Sequence, residues 1–275
     1  MIYTVTEAYM VKINWFQSTW GVEMPLEQFA KQTKEEGYTG IEGNIAQIAD
    51  LKEFKKVLDA YGLVYSPLIQ TEGPDHFESF KRLVDLSLSV DPMYINSHTG
   101  RDILSFDEQD KLFTDVLAYE KTLPVPVYHE THRSRPTFSP FGALRLAEKF
   151  PELRFTADYS HWCCVCESLL PDQQELMDRI IAQTEHIHAR VGYHEGPQVP
   201  DPSAPEYAEA LKVHENWWKA VLKRHEGGEI CVVPEYGPGA SGYLHTLPHT
   251  NVPVADMLEV RRWAKARFEK MAEEI

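Results

Sequence analysis

The stretch VPVYHETHRSRPTFSPFGALRLAEKFPELRFTADYSH, residues 125–161, decides the fold. VPVYHETH and LRFTADYS are short runs rich in β-branched and aromatic residues. FGALRLAEKF between them carries apolar residues at i, i+3 and i+4, which predicts a helix with one face on a core. Strand, helix and strand in that order form a crossover unit whose two strands run parallel.

The unit repeats in both directions. Toward the N-terminus, strands are expected at YMVKINWF (9–16), TGIEGNI (39–45), LVYSPLI (63–69) and PMYINSH (92–98); toward the C-terminus, at HIHARVG (186–192) and EICVVPEY (229–236). Amphipathic stretches such as IADLKEFKKVLDAYG (48–62) and EYAEALKVHENWWKAVLKRH (206–225) fill the intervals. Several strands are almost continuously apolar, as a sheet buried on both faces requires. Eight alternations close naturally into a (β/α)8 TIM barrel, expected as a single domain over residues 1–275. An open doubly wound sheet is the alternative, but no Gly-rich phosphate fingerprint follows the first strand. Gly37, Gly62 and Gly227 stand where left-handed helix caps are expected, and Pro67, Pro136 and Pro234 at or beyond strand ends. Trp217 and Trp218 are expected in the core or at an interface.

Composition narrows the function. The 42 acidic residues outnumber the 27 Lys and Arg, for a net charge of −15, so nucleic acid and anionic membranes are poor partners. No apolar run approaches the roughly 20 residues of a membrane span. The opening stretch has no secretory leader pattern, and four cysteines are too few for a disulfide framework, so a cytoplasmic setting with structural thiols is expected.

Glu130, Asp158, His188 and Glu235 fall at the ends of four successive strand runs. In a barrel these ends lie together, and period-two alternation places Tyr128, Glu130 and His132 on one face, and likewise His186, His188 and Arg190. Three carboxylates brought together would repel and raise one another's pKa values, a conflict that one divalent cation resolves. Oxygen ligands with one imidazole suit Mn²⁺, Mg²⁺ or Co²⁺, with Zn²⁺ also admissible. Any one of the four alone would more often be a cap, an ion-pair partner or a satisfied core histidine. Their recurrence at four consecutive strand ends argues for the metal.

HETH, TADYSHW with Asp158 and His161, HIHAR and PEYGP together resemble the strand-end motifs of the xylose isomerase-like TIM barrels, in order and across nearly the whole chain. That superfamily includes ketose 3-epimerases, hydroxypyruvate isomerase, inosose dehydratase and apurinic-site endonucleases. The resemblance implies that Glu130, Asp158, His188 and Glu235 bind the metal. It also implies that Glu130 and Glu235 exchange a proton across a carbon next to a carbonyl, through a metal-stabilised enediolate. His161 and Arg190 would contact substrate, and His186 would support the metal site or bond to backbone. The implied function is a metal-dependent sugar isomerase or epimerase of carbohydrate metabolism, acting on a small carbohydrate or sugar acid. A dehydratase or keto-sugar lyase on the same site is the alternative. The endonuclease branch ranks lower, because it needs further histidines and the third strand, LVYSPLIQ, has none. A homodimer is admissible.

Ketose epimerases place another glutamate six residues after the fifth-strand one. Here that loop is THRSRP, and His132, Arg133 and Arg135 make it basic, suited to a carboxylate or phosphate. The long seventh loop, VGYHEGPQVPDPSAPEY (191–207), is expected to act as a lid. Glu42 and His98 are further candidates for substrate contact at the mouth, with Asn14, Trp15 and Gln70 weaker ones.

Overall fold

The computed structural model describes residues 11–275. Eight parallel strands close into a barrel in sequence order: β1 Lys12–Ser18, β2 Gly40–Asn44, β3 Val64–Gln70, β4 Ile95–His98, β5 Val127–Glu130, β6 Phe155–Ala157, β7 Thr184–His188 and β8 Glu229–Val233. Closure is made by β1 on β8, with Lys12 opposite Glu229 and Trp15 opposite Val232. Tyr9 and Met10 of the expected first strand lie outside the described residues.

Nine described helices wrap the barrel: α1 Leu26–Glu35, α2 Leu51–Tyr61, α3 His76–Leu88, α4 Phe106–Glu120, α5 Pro140–Lys149, α6 Ser160–Val165, α7 Gln174–Ile181, α8 Ala208–Arg224 and α9 Met257–Ala272. Their starts follow from short polar side chains. Asp50, Asp75, Ser105, Ser139 and Asp256 each accept a backbone N–H of the first turn, and Ser105 forms a capping box with Glu108. Gly37, Gly62 and Gly227 have φ of 76°, 60° and 73°, the left-handed conformation expected of them. Helix α6 has no counterpart in the sequence reading, because SHWCCV is too short to show a helical period.

Alternation along the strands divides the molecule into layers. Ile187, Val232 and Phe155 face outward into a core shared with the helices, where Trp217 and Trp218 are also buried. A second cluster of the same kind lies on the other side of the barrel around Ile41, Ile69 and Phe80. Inward-facing Phe16, Tyr94, Cys231 and Val233 fill the barrel, with Val64 and Tyr128 packed against them. This plug occupies the lower part of the barrel and leaves the C-terminal end of the strands open for polar groups.

Pro67 does not lie at a strand end. It sits in the middle of β3, opposite Gly43. Thr71 N donates to His98 O and Val64 N to Thr39 O, so odd-numbered residues here face β4 and even-numbered ones β2. The missing N–H of Pro67 therefore points toward Tyr94, just before β4 begins, where little pairing is lost. All four cysteines are free thiols, Cys163 and Cys231 buried. No described helix is long and apolar enough to cross a membrane.

Candidate active site

Glu130 and His188 are the last residues of β5 and β7; Asp158 and Glu235 follow β6 and β8 by one and two residues. All four therefore lie at one end of the barrel, where a cavity of about 240 Å³ is lined by Glu42, His98, Glu130, His188, Arg190 and Glu235, among others; Asp158 is fully buried, paired with Arg190, and does not line it. Glu130 and His188 are held by the sheet itself, and Asp158 and Glu235 by the first residues of the loops that leave it.

His188 is the centre of the arrangement. Its Nε2 lies 2.6 Å from Glu42 Oε1, and its Nδ1 lies 2.9 Å from Glu235 Oε2 and 3.5 Å from Glu130 Oε2. Glu42 in turn accepts a hydrogen bond from Tyr94 Oη at 2.7 Å and lies 3.1 Å from His186 Nε2. His186 Nδ1 is 2.8 Å from the Cys231 carbonyl, which can only accept, so that nitrogen donates. Asn96 bridges the group, its amide donating to Glu130 Oε2 at 2.8 Å. Alternation could have revealed Asn96, two residues before His98 on the same strand; Tyr94 lies two further back.

Asp158 belongs to a second, adjoining group. Arg190 and Ser160 both donate to its carboxylate, and His161 Nε2 lies 3.4 Å away. Arg190 also donates to His161 Nε2 at 2.7 Å, which makes that nitrogen an acceptor and leaves the His161 proton on Nδ1. The guanidinium thus lies between Asp158 and Glu235, 3.7 Å from Glu235 Oε1.

The four expected ligands form no single tight cluster; they are divided among overlapping triads that also draw in Glu42, His98, His132, His161 and His186. Asp158, His188 and Glu235 bring donor atoms within 4.8 Å of one another, and so do Glu130, Asp158 and His161. Of the expected substrate contacts, Arg190, His132, Glu42 and His98 line the cavity. His161 and Arg133 do not. His161 is fully buried behind Arg190, and Arg133 turns outward over the ring of Tyr243 at 5.0 Å. Gln70 lines the cavity, whereas Trp15 faces the helices against Phe268, and Asn14 bonds Glu229 at the opposite end of the barrel.

No residue of the seventh loop lines the cavity. That loop is docked: Gly192 presses so closely on Ser160 that a Cβ there would meet its carbonyl at 2.5 Å, and Gln198 donates to the Gly237 carbonyl. Trp20 and Tyr243, from the loops after β1 and β8, cover the site instead, in edge contact at 4.7 Å. Arg190 lies under both rings, 4.8 Å from that of Tyr243. An isolated aromatic in a glycine-rich loop carries no sequence signal of this role.

Burial alone would raise every carboxylate here. For Glu130, His98 and His188 outweigh it and hold the pKa well below the usual range. For Glu235, Arg190 and His188 also outweigh burial and lower the pKa, as His188 and His186 do for Glu42. Asp158 is the exception: burial, only partly offset by Arg190 and reinforced by Glu235 and Glu130, lifts it to about 7. His188 is pushed well above its ordinary value, because Glu42, Glu130 and Glu235 outweigh its burial. The mouth is an excess of negative charge held together by the cations within it.

The donor set also fits a divalent ion by direction. His188 Nδ1 and Glu235 Oε2 approach closely, yet neither has a hydrogen-bond partner among the described residues. His98 Nε2, 2.8 Å from Glu130 Oε2, is in the same condition. Buried nitrogen and oxygen atoms that crowd together without bonding one another are atoms a bound cation would satisfy.

No protein-family model matches the chain, and no curated protein matches it in sequence. Solved structures do. An L-ribulose 3-epimerase aligns over 97% of this chain and 95% of its own, with TM-score 0.63 and 14% identity. A family 2 AP endonuclease from Brucella melitensis aligns over 94% and 99%, with TM-score 0.60 and 16% identity. A 3-keto-D-glucoside 4-epimerase from E. coli aligns over 94% and 100%, with TM-score 0.57 and 12% identity. At these identities the likeness is one of architecture, shared by enzymes of different chemistry. What these structures share with this chain is the fold, a closed eight-stranded parallel barrel wrapped by helices.

Proposed function

We propose that the protein is a divalent-metal-dependent isomerase or epimerase of a small carbohydrate or sugar acid. The observation that carries this reading is His188 Nδ1, unpartnered and flanked by the carboxylates of Glu130 and Glu235 at 3.5 and 2.9 Å. Glu130, Asp158, His188 and Glu235 would hold the ion, with Mn²⁺, Mg²⁺ or Co²⁺ best suited to the set. Such an ion supplies Lewis acidity that draws charge from a carbonyl and makes the adjacent C–H easier to ionise.

The protein's own groups do the rest. Glu42 accepts the Nε2 proton of His188 and thereby directs Nδ1 toward the carboxylates. Glu130 and Glu235, whose pKa values are lowered by the neighbouring cationic groups, would take a proton from the carbon and return one. Return on the opposite face of that carbon is epimerisation; return to the neighbouring carbon interconverts aldose and ketose. Arg190, fixed by Asp158 and His161, presents its unpartnered Nη1 in the cavity wall, where a substrate oxygen can accept from it. Trp20 and Tyr243 restrict water at the reacting carbon.

The test is solvent-deuterium incorporation into a panel of ketoses and sugar acids, with bound metal measured on protein purified without chelator. About one divalent ion per chain and deuterium at a carbon next to the carbonyl are expected. An unsaturated product absorbing in the ultraviolet would replace this reading with a lyase on the same site.

A further inference from the structure

Beside the mouth lies a second hollow of about 380 Å³, walled by the loops after β3, β4 and β5: Thr71, Glu72, His76, Arg101, Ser134 and Arg135 among them. Gln70 lines this groove and the central cavity alike. The two hollows therefore adjoin at this side chain.

The groove is basic in a protein with a net charge of −15. Arg135 is half-buried and its Nη1 donates to the Gly100 carbonyl at 2.8 Å and the Thr71 carbonyl at 3.4 Å. It makes no ion pair among the described residues, and its buried Nε has no hydrogen-bond partner there. The backbone carbonyls that hold this guanidinium carry no net charge, so they leave its positive charge uncompensated. Arg101 adds a second guanidinium, half-exposed and 3.7 Å from Asp102. His76, tied to Thr71 Oγ1 at 2.9 Å, is driven toward its neutral form by burial first and then by Arg135 and Arg101, with Asp75 opposing. The one carboxylate in the wall among the described residues, Glu72, is exposed and lies 3.6 Å from Arg82.

We infer that this groove is an anion subsite that holds the charged end, a phosphate or a carboxylate, of the molecule whose other end enters the barrel mouth. The inference rests on the proposed function for what happens at that other end, but the groove can be tested alone. Guanidinium groups with hydroxyl neighbours are the usual chemistry for a multidentate oxyanion. The substrate class is then a carbohydrate with an anionic terminus, and a neutral free sugar would use only half the site.

Inorganic phosphate is titrated into the intact protein and followed by ³¹P line broadening, with acetate as a parallel competitor. Arg135→Met and Arg101→Glu are compared with the parent; Arg101 is half-exposed, so its variant guards against loss of fold. Both variants should weaken phosphate binding by roughly tenfold or more. In turnover, the preference for a phosphorylated ketose over its neutral parent should fall by a similar factor, carried by KM. Acetate competing as strongly as phosphate assigns a sugar acid, and weak competition assigns a phosphate ester. Phosphate binding that neither variant changes overturns the groove, whatever the ketose panel gives. Variant-sensitive phosphate binding without any exchange into a ketose keeps the groove and overturns the proposed reaction.

Discussion

His129 and His188 are both buried strand histidines with a glutamate beside them, but they face opposite sides of the barrel. His129, on the outer face of β5, uses both nitrogens: Nδ1 lies 2.8 Å from Thr99 Oγ1 and Nε2 lies 2.8 Å from Glu120 Oε1. His214, in the helix layer, is equally complete, with Nδ1 on the Ala210 carbonyl and Nε2 accepting from Gly192 N. At the mouth, His188, His161 and His98 each keep one buried nitrogen without a partner among the described residues. Those two outer histidines spend both ring nitrogens on folding. The three at the mouth leave one each unsatisfied at a cost in stability, as sites built to bind something do.

The sharpest way to break this comparison is Glu235→Gln, which removes a base without changing shape. Deuterium wash-in should fall roughly 10²- to 10⁴-fold while the melting temperature barely moves. Retained exchange would show that Glu235 moves no proton. On the outer side, His214 is buried and held neutral, its pKa lowered to about 4 by burial. Unfolded, it regains an ordinary imidazole pKa near 6.5. The unfolded chain therefore binds a proton that the fold refuses, and stability declines as pH falls from about 6.5 to about 4. Across that window the parent should lose about 3 kcal/mol more than His214→Gln, measured by urea unfolding.

Glu42→Gln sharpens the comparison from beneath the site. It removes the carboxylate that orients His188 and should weaken metal binding by roughly 10- to 100-fold, read by competition with a chelating dye. His129→Phe should leave metal affinity untouched and cost about 1 to 2 kcal/mol, because it strips Glu120 and Thr99 of their partner. The lower end of the usual range applies, since Glu120 is 15% exposed and can turn to water.

Much of this was legible in the chain. Strand order, barrel closure and the left-handed glycines follow from apolar period and turn chemistry, both local properties. The placement of Glu130, Asp158, His188 and Glu235 at one end follows from the fold, because strand ends in a parallel barrel have nowhere else to go. Asn96 was within reach by alternation from His98. Pro67 was misplaced, because whether a strand proline costs a hydrogen bond depends on where the neighbouring strand begins. The lid was assigned to the seventh loop on length and proline content, yet Gly192 and Gln198 dock that loop while Trp20 and Tyr243 cover the mouth.

The alternation of apolar runs with amphipathic stretches was enough to specify the barrel and the end of it that carries chemistry, since burial acts on each segment's own period. It could not say which nitrogen of which histidine is left unpartnered. That depends on Glu42 reaching His188 from β2 to β7, 146 positions away in the chain, and on Arg190 filling the space between Asp158 and Glu235. Nor could it bring Arg101 and Arg135 to one groove. Such pairings are set by packing across the barrel, where side-chain length and charge select partners that no local pattern records.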